Sequence, residues 1–328
     1  MMETQFRARL RRLPAAAKAG IAAALAAIVA AGLFLALHWG SGTETAPSPT
    51  ISPSRGANPL TGVGAAGRVL AVKVDNVGAA QSQQVGLNAA DVVYVEQVEG
   101  GLSRYLAVFD SNHVPGRVGP VRSARQTDIP VLAAYGHVGF AYSGAISGLL
   151  PDLARADLQN ITPVSGLFSN GGSSPTYVRP AQVFSRYRNL SQARDVGFRF
   201  GASMPGGSPA DSVRAAMPAA SFVFTASGSR WTIAVDGRST SLTTVNVIVQ
   251  HVRLMRGKYT DYNGGHPDNE VFSVTTGSGR ADFYRNGQVW HGLWAKPTDN
   301  SATRYTVSGR PMLLNRGETY VVLVHGPA

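Results

Sequence analysis

Residues 19–37 (AGIAAALAAIVAAGLFLAL) carry no polar side chain, and Arg7, Arg9, Arg11, Arg12 and Lys18 stand immediately before them. A helix rises about 1.5 Å per residue, so the run covers roughly 28 Å, close to the ~30 Å hydrocarbon core of a bilayer. The basic residues keep the short N-terminus cytoplasmic by the positive-inside rule, and Trp39 stands where an interfacial aromatic belongs. A cleavable signal peptide is the competing reading. Its apolar core is typically ~7–15 residues with small residues at the cut, whereas His38 and Trp39 follow here. The expected order is therefore a cytoplasmic basic tail (1–18), a single membrane-spanning anchor (19–38) and a flexible linker (39–57) of mostly Gly, Ser, Thr and Pro. The bulk of the chain then lies on the extracytoplasmic side of a cell membrane.

The chain carries a formal charge of +11; without residues 1–20 it keeps 25 basic and 18 acidic residues, or +7. Such a surface attracts polyanions over a Debye length of roughly 8 Å. Outside a membrane these are lipid headgroups, anionic wall polymers or lipid-linked precursors. The basic residues are scattered and match no nucleic-acid-binding pattern, so no nucleic acid is expected. There is no cysteine, which excludes disulfides, thiolate metal sites, cysteine nucleophiles and a lipid-modified cysteine.

Beyond the linker, short β runs at 69–74, 91–98, 102–109 and 137–142 alternate with helix-like stretches at 128–135, 147–158 and 181–195, the second broken at Pro151. This pattern predicts a layered α/β domain over 58–205. From Ser221 onward nearly every element reads as strand, which predicts a mostly β module over 212–328. The expected class is thus α+β, with an N-terminal anchor, a mixed α/β domain and a β-rich module. The clearest local signal is ADFYRNGQVWHG at 281–292. Asn286-Gly287 favours a two-residue type I′ turn, which sets Arg285 opposite Gln288, Tyr284 opposite Val289 and Phe283 opposite Trp290. A second hairpin is expected at Ser308-Gly309. Asn246 and Gln250 share a face of their strand with Ile248 and read as its solvent or edge side.

Gly62, Gly64 and Gly67 spell G-x-G-x-x-G, but they precede a strand instead of following one, so the string reads as a loop with no nucleotide. No P-loop, nucleophile elbow or H-E-x-x-H occurs, and the seven histidines are dispersed, so neither metal nor cofactor is expected. The densest polar signal runs from Glu96 to Arg125. Arginine's planar fork binds carboxylate or phosphate bidentately and stays charged when desolvated. Arg104, Arg122 and Arg125 therefore form a candidate anion- or partner-binding set, with Glu99 and the strand-end pair Asp75-Asn76 positioning them. The alternative from the same residues is an internal ion-pair network. Glu96 and Glu99 lie three apart on a strand, which sends them to opposite faces and argues against a catalytic dyad.

Several ordered motifs carry a family resemblance. They are Asn58-Pro59-Leu60-Thr61-Gly62, Ala71-Val72-Lys73-Val74-Asp75-Asn76, Ala90-Asp91-Val92-Val93-Tyr94, Val98-Glu99-Gly100-Gly101 and Gly119-Pro120-Val121-Arg122-Ser123-Ala124-Arg125. Asn246-Val247-Ile248-Val249-Gln250 and Phe283-Tyr284-Arg285-Asn286-Gly287-Gln288 follow. From about residue 58 to the end the chain resembles the YerB-like lipoproteins of bacteria, a two-domain family of unknown function. The resemblance implies an extracytoplasmic, membrane-tethered protein with no established reaction. This chain departs from the family in lacking a cysteine for lipid attachment, and in having Thr176-Tyr177 where the family pattern implies a His-Asn pair. The function expected is an envelope binding or assembly module that recognises an anionic wall component or partner protein. The alternative is an enzyme on a phosphorylated or glycan wall precursor, with Glu99 or Asp75 as proton acceptor.

Overall fold

Val69–Asp75 (VLAVKVD) is buried along its whole length, as a strand must be when both faces of its sheet are covered. It is the first strand of a computed structural model that describes residues 57–170, 176–263 and 266–326. The strands are β1 (Val69–Asp75), β2 (Val92–Gln97), β3 (Ser103–Asp110), β4 (Val138–Ala141), β5 (Leu158–Ile161), β6 (Phe168–Asn170) and β7 (Thr176–Val178). They continue with β8 (Ser208–Pro209), β9 (Ser212–Met217), β10 (Ala220–Ser227), β11 (Arg230–Val235), β12 (Arg238–Thr244) and β13 (Asn246–Asn263). The last are β14 (His266–Val274), β15 (Gly277–Arg285), β16 (Gln288–Lys296), β17 (Arg304–Val307), β18 (Arg310–Pro311) and β19 (Thr319–His325). Among the described residues three short α-helices accompany them: α1 (Asp128–Ala133), α2 (Leu150–Arg155) and α3 (Pro180–Arg186).

Among the described residues, thirteen strands form one sheet in the order β18-β17-β16-β15-β13-β19-β2-β3-β1-β4-β5, with β14 on β13 and β8 on β16. The decisive element is β19. It runs parallel to β13 on one side (Ile248↔Val321) and parallel to β2 on the other (Tyr94↔Val321). The C-terminal strand thus joins the early strands to the late ones in a single sheet. A smaller sheet, β12-β11-β10-β9, covers part of one face.

This overturns the α+β expectation. The described residues are mostly β, and one sheet runs through both the stretch expected to be α/β and the stretch expected to be β-rich. The helix-like patterns shrink to single turns and pairs of turns. The stretch expected at 181–195 ends at Arg186, after which Ser191 and Ala193 donate their amides to the carbonyls of His137 and Gly67. Pro151 opens α2 instead of breaking it, since a first-turn proline gives up no helical hydrogen bond. Among the described residues no helix is long and apolar enough to cross a membrane. The anchor expected at 19–38 and its linker lie outside the described residues. The two turns fall as expected: Phe283 pairs with Trp290 across Asn286 (φ 49°) and Gly287 (φ 67°), and Ser308-Gly309 closes β17 on β18.

The sheet separates two apolar cores. On one face Val72, Val93, Tyr105, Val247, Tyr320 and Val322 meet Phe222, Phe224, Trp231 and Ile233 of the smaller sheet. Tyr105 makes edge contacts with Phe222 (6.1 Å) and Tyr320 (6.3 Å), and Phe224 with Tyr320 (6.1 Å). On the other face Val69, Leu106, Ile248, Phe283 and Val321 pack against Leu132 of α1, Leu153 of α2 and Tyr305. Successive residues of β19 therefore serve opposite cores. Val322→Ala should cost about 2 kcal/mol and lower amide-exchange protection in β2 and β13 together. Loss of protection in only one of them contradicts a shared sheet.

Candidate functional site

The alternation of β1, β2 and β3 places Lys73, Asp75, Glu96 and Arg104 on one face of three adjacent strands. Lys73 is fully buried, and its ammonium bonds Glu96 Oε2 and Asp128 Oδ1, each at 2.7 Å. Burial pushes the Glu96 carboxyl up to about 8, and the nearby Asp128 adds to this while Lys73 opposes it. Its Oε1 has no hydrogen-bond partner. A proton held on Glu96 makes the trio electrically neutral, which removes the cost of an excess buried charge.

The six residues of the expected anion site gather beside this trio, but mostly as partners of one another. Residues 119–122 run along the end of β1, where Asp75 N donates to Pro120 O (2.8 Å) and Arg122 N to Lys73 O (2.9 Å). This brings Arg122 Nε to 2.9 Å from Asp75 Oδ2, while Arg104 Nη1 lies 3.2 Å from Asp75 Oδ1. Arg125 forks onto Glu99, with Nε 2.8 Å from Oε1 and Nη2 2.7 Å from Oε2. Asn76 donates to Ser103 Oγ (2.8 Å) and accepts from Gln84 (2.9 Å). Burial lowers the Arg104 pKa, with Asp75 pulling it back up and Arg122 and Arg125 pushing it down. Burial also acts against the Arg125 charge, but the Glu99 hydrogen bonds and charge outweigh it and raise that pKa. Arg122 alone of the three keeps a half-exposed side chain. Asp75 and Glu99 each lie against a guanidinium, so neither faces a substrate as a free base.

The β13–β14 hairpin lies over this cluster. Lys258 N donates to Gln126 Oε1 (2.8 Å), and Ser273 N to Thr127 Oγ1 (3.0 Å). The hairpin carries Glu270, which is buried with neither carboxylate oxygen in a well-formed hydrogen bond. Burial pushes Glu270 up to about 7; Arg125 and the Gln126 amide work against this, and the charges of Glu99 and Asp128 work with it.

Sequence reasoning missed an open site elsewhere. A concavity of about 640 Å³ is lined by Gly201, Ala202, Ser229, Arg230, Val245, Asn286, Asn315 and Arg316, with no carboxylate among them. Its floor is fixed from below. Asn246, expected on a solvent side, is fully buried; its amide donates to Asn315 O (2.9 Å) and its Oδ1 accepts Asn315 N (2.9 Å). Gln250, also expected on a solvent side, is buried too and accepts the Tyr305 hydroxyl (2.9 Å). Both are internal because β13 is a central strand of a sheet covered on both faces. Arg285 is buried and ties the chain together at the rim, donating to Gly201 O (2.9 Å), Ala202 O (2.9 Å) and Leu313 O (2.6 Å). Burial lowers its pKa. Asn315 Nδ2 donates to Asn286 Oδ1 (2.7 Å), and Arg230 is held by Thr243 and Glu318. Arg316 is exposed and has no ion pair among the described residues. The sequence signal for this site is the Asn-Gly turn, whose Asn286 lines the concavity.

Two family models match the chain, described as the N-terminal domain (residues 58–198) and the C-terminal domain (residues 218–321) of the protein of unknown function DUF3048. The chain belongs to the DUF3048 family. The protein named "Putative lipoprotein YerB" of Bacillus subtilis (strain 168) is 44% identical over 73 residues, which span 21% of this chain and 22% of that protein. The crystal structure of YerB from Bacillus subtilis matches with a TM-score of 0.65 at 20% identity, covering 82% of this chain and 96% of that one. That match shows a shared fold, and the resemblance read from the sequence is borne out. The DUF3048 description carries no activity.

Two outcomes follow for this DUF3048 chain. Lys73→Met leaves the buried Asp128 carboxylate without its cation and Glu96 without its donor, and should destabilise the fold by about 3–5 kcal/mol in chemical denaturation. Glu270 titrates near 7 when folded and near 4.3 when unfolded. The folded state therefore binds the extra proton, and stability falls as pH rises between those values. Glu270→Gln should match the wild type at pH 5 and exceed it by roughly 1–2 kcal/mol at pH 8. A variant less stable than wild type at pH 8 contradicts this reading of Glu270.

Proposed function

We propose that this protein is a cell-envelope binding module, held at the membrane by its N-terminal apolar run with its folded part outside. It recognises a phosphate-bearing wall polymer or lipid-linked precursor, or a partner protein of the same charge, without catalysing a reaction. The observation that carries this reading is the open concavity whose rim carries Arg316, exposed and without an ion pair among the described residues, beside Ser229, Asn286, Asn315 and an Arg230 whose charge is matched by Glu318. An unpaired guanidinium beside amide and hydroxyl donors suits a phosphate oxygen. The net basic charge beyond the tail adds long-range attraction. The relative named a lipoprotein supports a membrane-associated location, and this chain, lacking cysteine, would reach it by a different attachment.

The Arg104, Arg122 and Arg125 cluster takes a different part in this reading. Its charges are matched by Asp75 and Glu99, so it fixes the loop and hairpin above β1–β3 and contributes little to ligand attraction. Retention of the protein on a soluble phosphodiester polymer, and separately on vesicles containing anionic lipid, tests the proposal. Arg316→Glu should weaken retention on at least one of the two by ~5–10-fold at physiological salt, and Arg122→Ala by less than about twofold. The arm that responds identifies the polymer or the lipid headgroup as the source of the phosphate. Equal retention of Arg316→Glu and wild type on both supports rejects the concavity as the site.

A further inference from the structure

β13, β15, β16 and β17 lie side by side in the large sheet, and alternation along them sorts their side chains between two faces. Leu254, Ala281, Trp294 and Tyr305 pack into the core beside α1 and α2. Their neighbours in sequence therefore point to the other side. The smaller sheet covers that side over Val247, Val249 and Val324, which share its core. Past those residues the face carries exposed side chains: Arg253 and Met255 from β13, Arg280 from β15, Leu293 from β16 and Arg304 from β17.

The register groups them. Arg280 stands directly opposite Leu293, and Arg304 pairs with Ala295, two residues further along β16. Leu293 thus has an arginine on each neighbouring strand, one opposite and one diagonal. Leu293 is 57% exposed and Met255 47%, so both present most of an apolar side chain to solvent between basic groups. Among the described residues none of these three arginines has an ion pair, in contrast to Arg104, Arg122 and Arg125. The carboxylate on this face, Asp282, is engaged by His291 Nδ1 (2.6 Å) and His251 Nε2 (3.2 Å).

The charge decides what can cover such a face. A second copy in a two-fold contact would bring the same arginines against themselves, which is repulsive. Apolar side chains set among unpaired guanidiniums instead match a surface with an anionic outer layer and an apolar interior. Arginine lays its stem along that boundary and keeps its head among phosphates. The apolar run at 19–37 and the linker at 39–57 keep a bilayer within reach, since the extended linker spans at most ~65 Å.

We infer that this face of the large sheet docks on an anionic lipid bilayer, with Arg253, Arg280 and Arg304 against headgroup phosphates and Leu293 and Met255 entering the acyl boundary. The inference rests on the membrane location proposed above and adds an orientation to it. The contact is separate from the Arg316 concavity, which borders the Asn286 turn, whereas Arg280 and Leu293 lie toward the other end of the β15–β16 hairpin.

The chain has no cysteine, so Ser278→Cys, exposed on this face, gives a single labelling site. The full chain carrying a fluorophore there is mixed with vesicles whose lipids bear a headgroup quencher. Vesicles with about 30% phosphatidylglycerol should quench it at least ~3-fold more than vesicles of phosphatidylcholine alone at physiological salt. A label at Val164→Cys, 96% exposed beyond β5 at the other end of the sheet, should show no such difference. Arg280→Glu with Arg304→Glu should bring quenching at 278 down to the phosphatidylcholine level, and Leu293→Ser should lower it ~2-fold. These are surface substitutions that leave the fold intact. Arg316→Glu should leave quenching at 278 unchanged. Equal quenching in the two kinds of vesicle, an equal response at position 164, or quenching that survives Arg280→Glu with Arg304→Glu overturns the inference. A label shielded by poly-L-glutamate but not quenched by anionic vesicles overturns it in favour of an acidic protein. Retention on the phosphodiester polymer reads the concavity, so either proposal can fail without the other.

Discussion

The parallel pairing of β19 with β13 on one edge and β2 on the other holds thirteen of the described strands in one sheet. Neither neighbour could reach the other directly, because the strand between them supplies both ladders. Its alternating residues feed both cores, Tyr320 and Val322 toward the smaller sheet and Val321 and Leu323 toward α1 and α2. A strand flanked and covered in this way has no exposed face, which is why it reads TYVVLVH with almost no polar punctuation. The loop that delivers the chain into β19 is 315–318, and two open concavities border it, one lined by Asn315 and Arg316 and the other by Gly317 and Glu318. The same constraint that closes the sheet therefore also builds the rims of both concavities.

Burial decides which charges are available for function. At the end of β1–β3 the sheet buries Lys73, Glu96 and Asp128 completely, and a buried charge is tolerated only when paired or neutralised. The surrounding arginines follow the same rule, each finding Asp75 or Glu99. What attracts attention in the sequence as an anion site is thus largely occupied with its own counter-charges. Arg316, at the edge of a concavity without carboxylates, has no such partner among the described residues, and its charge remains available to a ligand.

Local chemistry was legible in the sequence, and non-local pairing was not. The Asn286-Gly287 turn and its register follow from two residues that both accept positive φ. The strands at 69–75, 92–97 and 103–110 follow from apolar runs. The insertion of residues 319–325 between strands more than fifty residues away leaves no mark on the sequence around it, so no local pattern shows that one sheet spans both parts of the chain. Asn246 and Gln250 were misplaced for the same reason: alternation shows which side chains share a face, but not that both faces are covered. The residue types of the charged cluster were legible too, since arginines and carboxylates close in sequence tend to meet. Their pairings depended on residues 119–122 lying along β1 and on a hairpin from residues 246–274 lying above, which no local pattern encodes.

The account rests on the anion binding at Arg316, which has no ion pair among the described residues, and not at the paired Arg104, Arg122 and Arg125. Amide chemical-shift mapping during titration with short phosphodiester oligomers reads this directly. Shifts concentrated at residues 229–230, 286 and 315–316, with residues 99, 104 and 122–125 unmoved, are the result predicted. Shifts centred on Arg104, Arg122 and Arg125 with the concavity silent would contradict it.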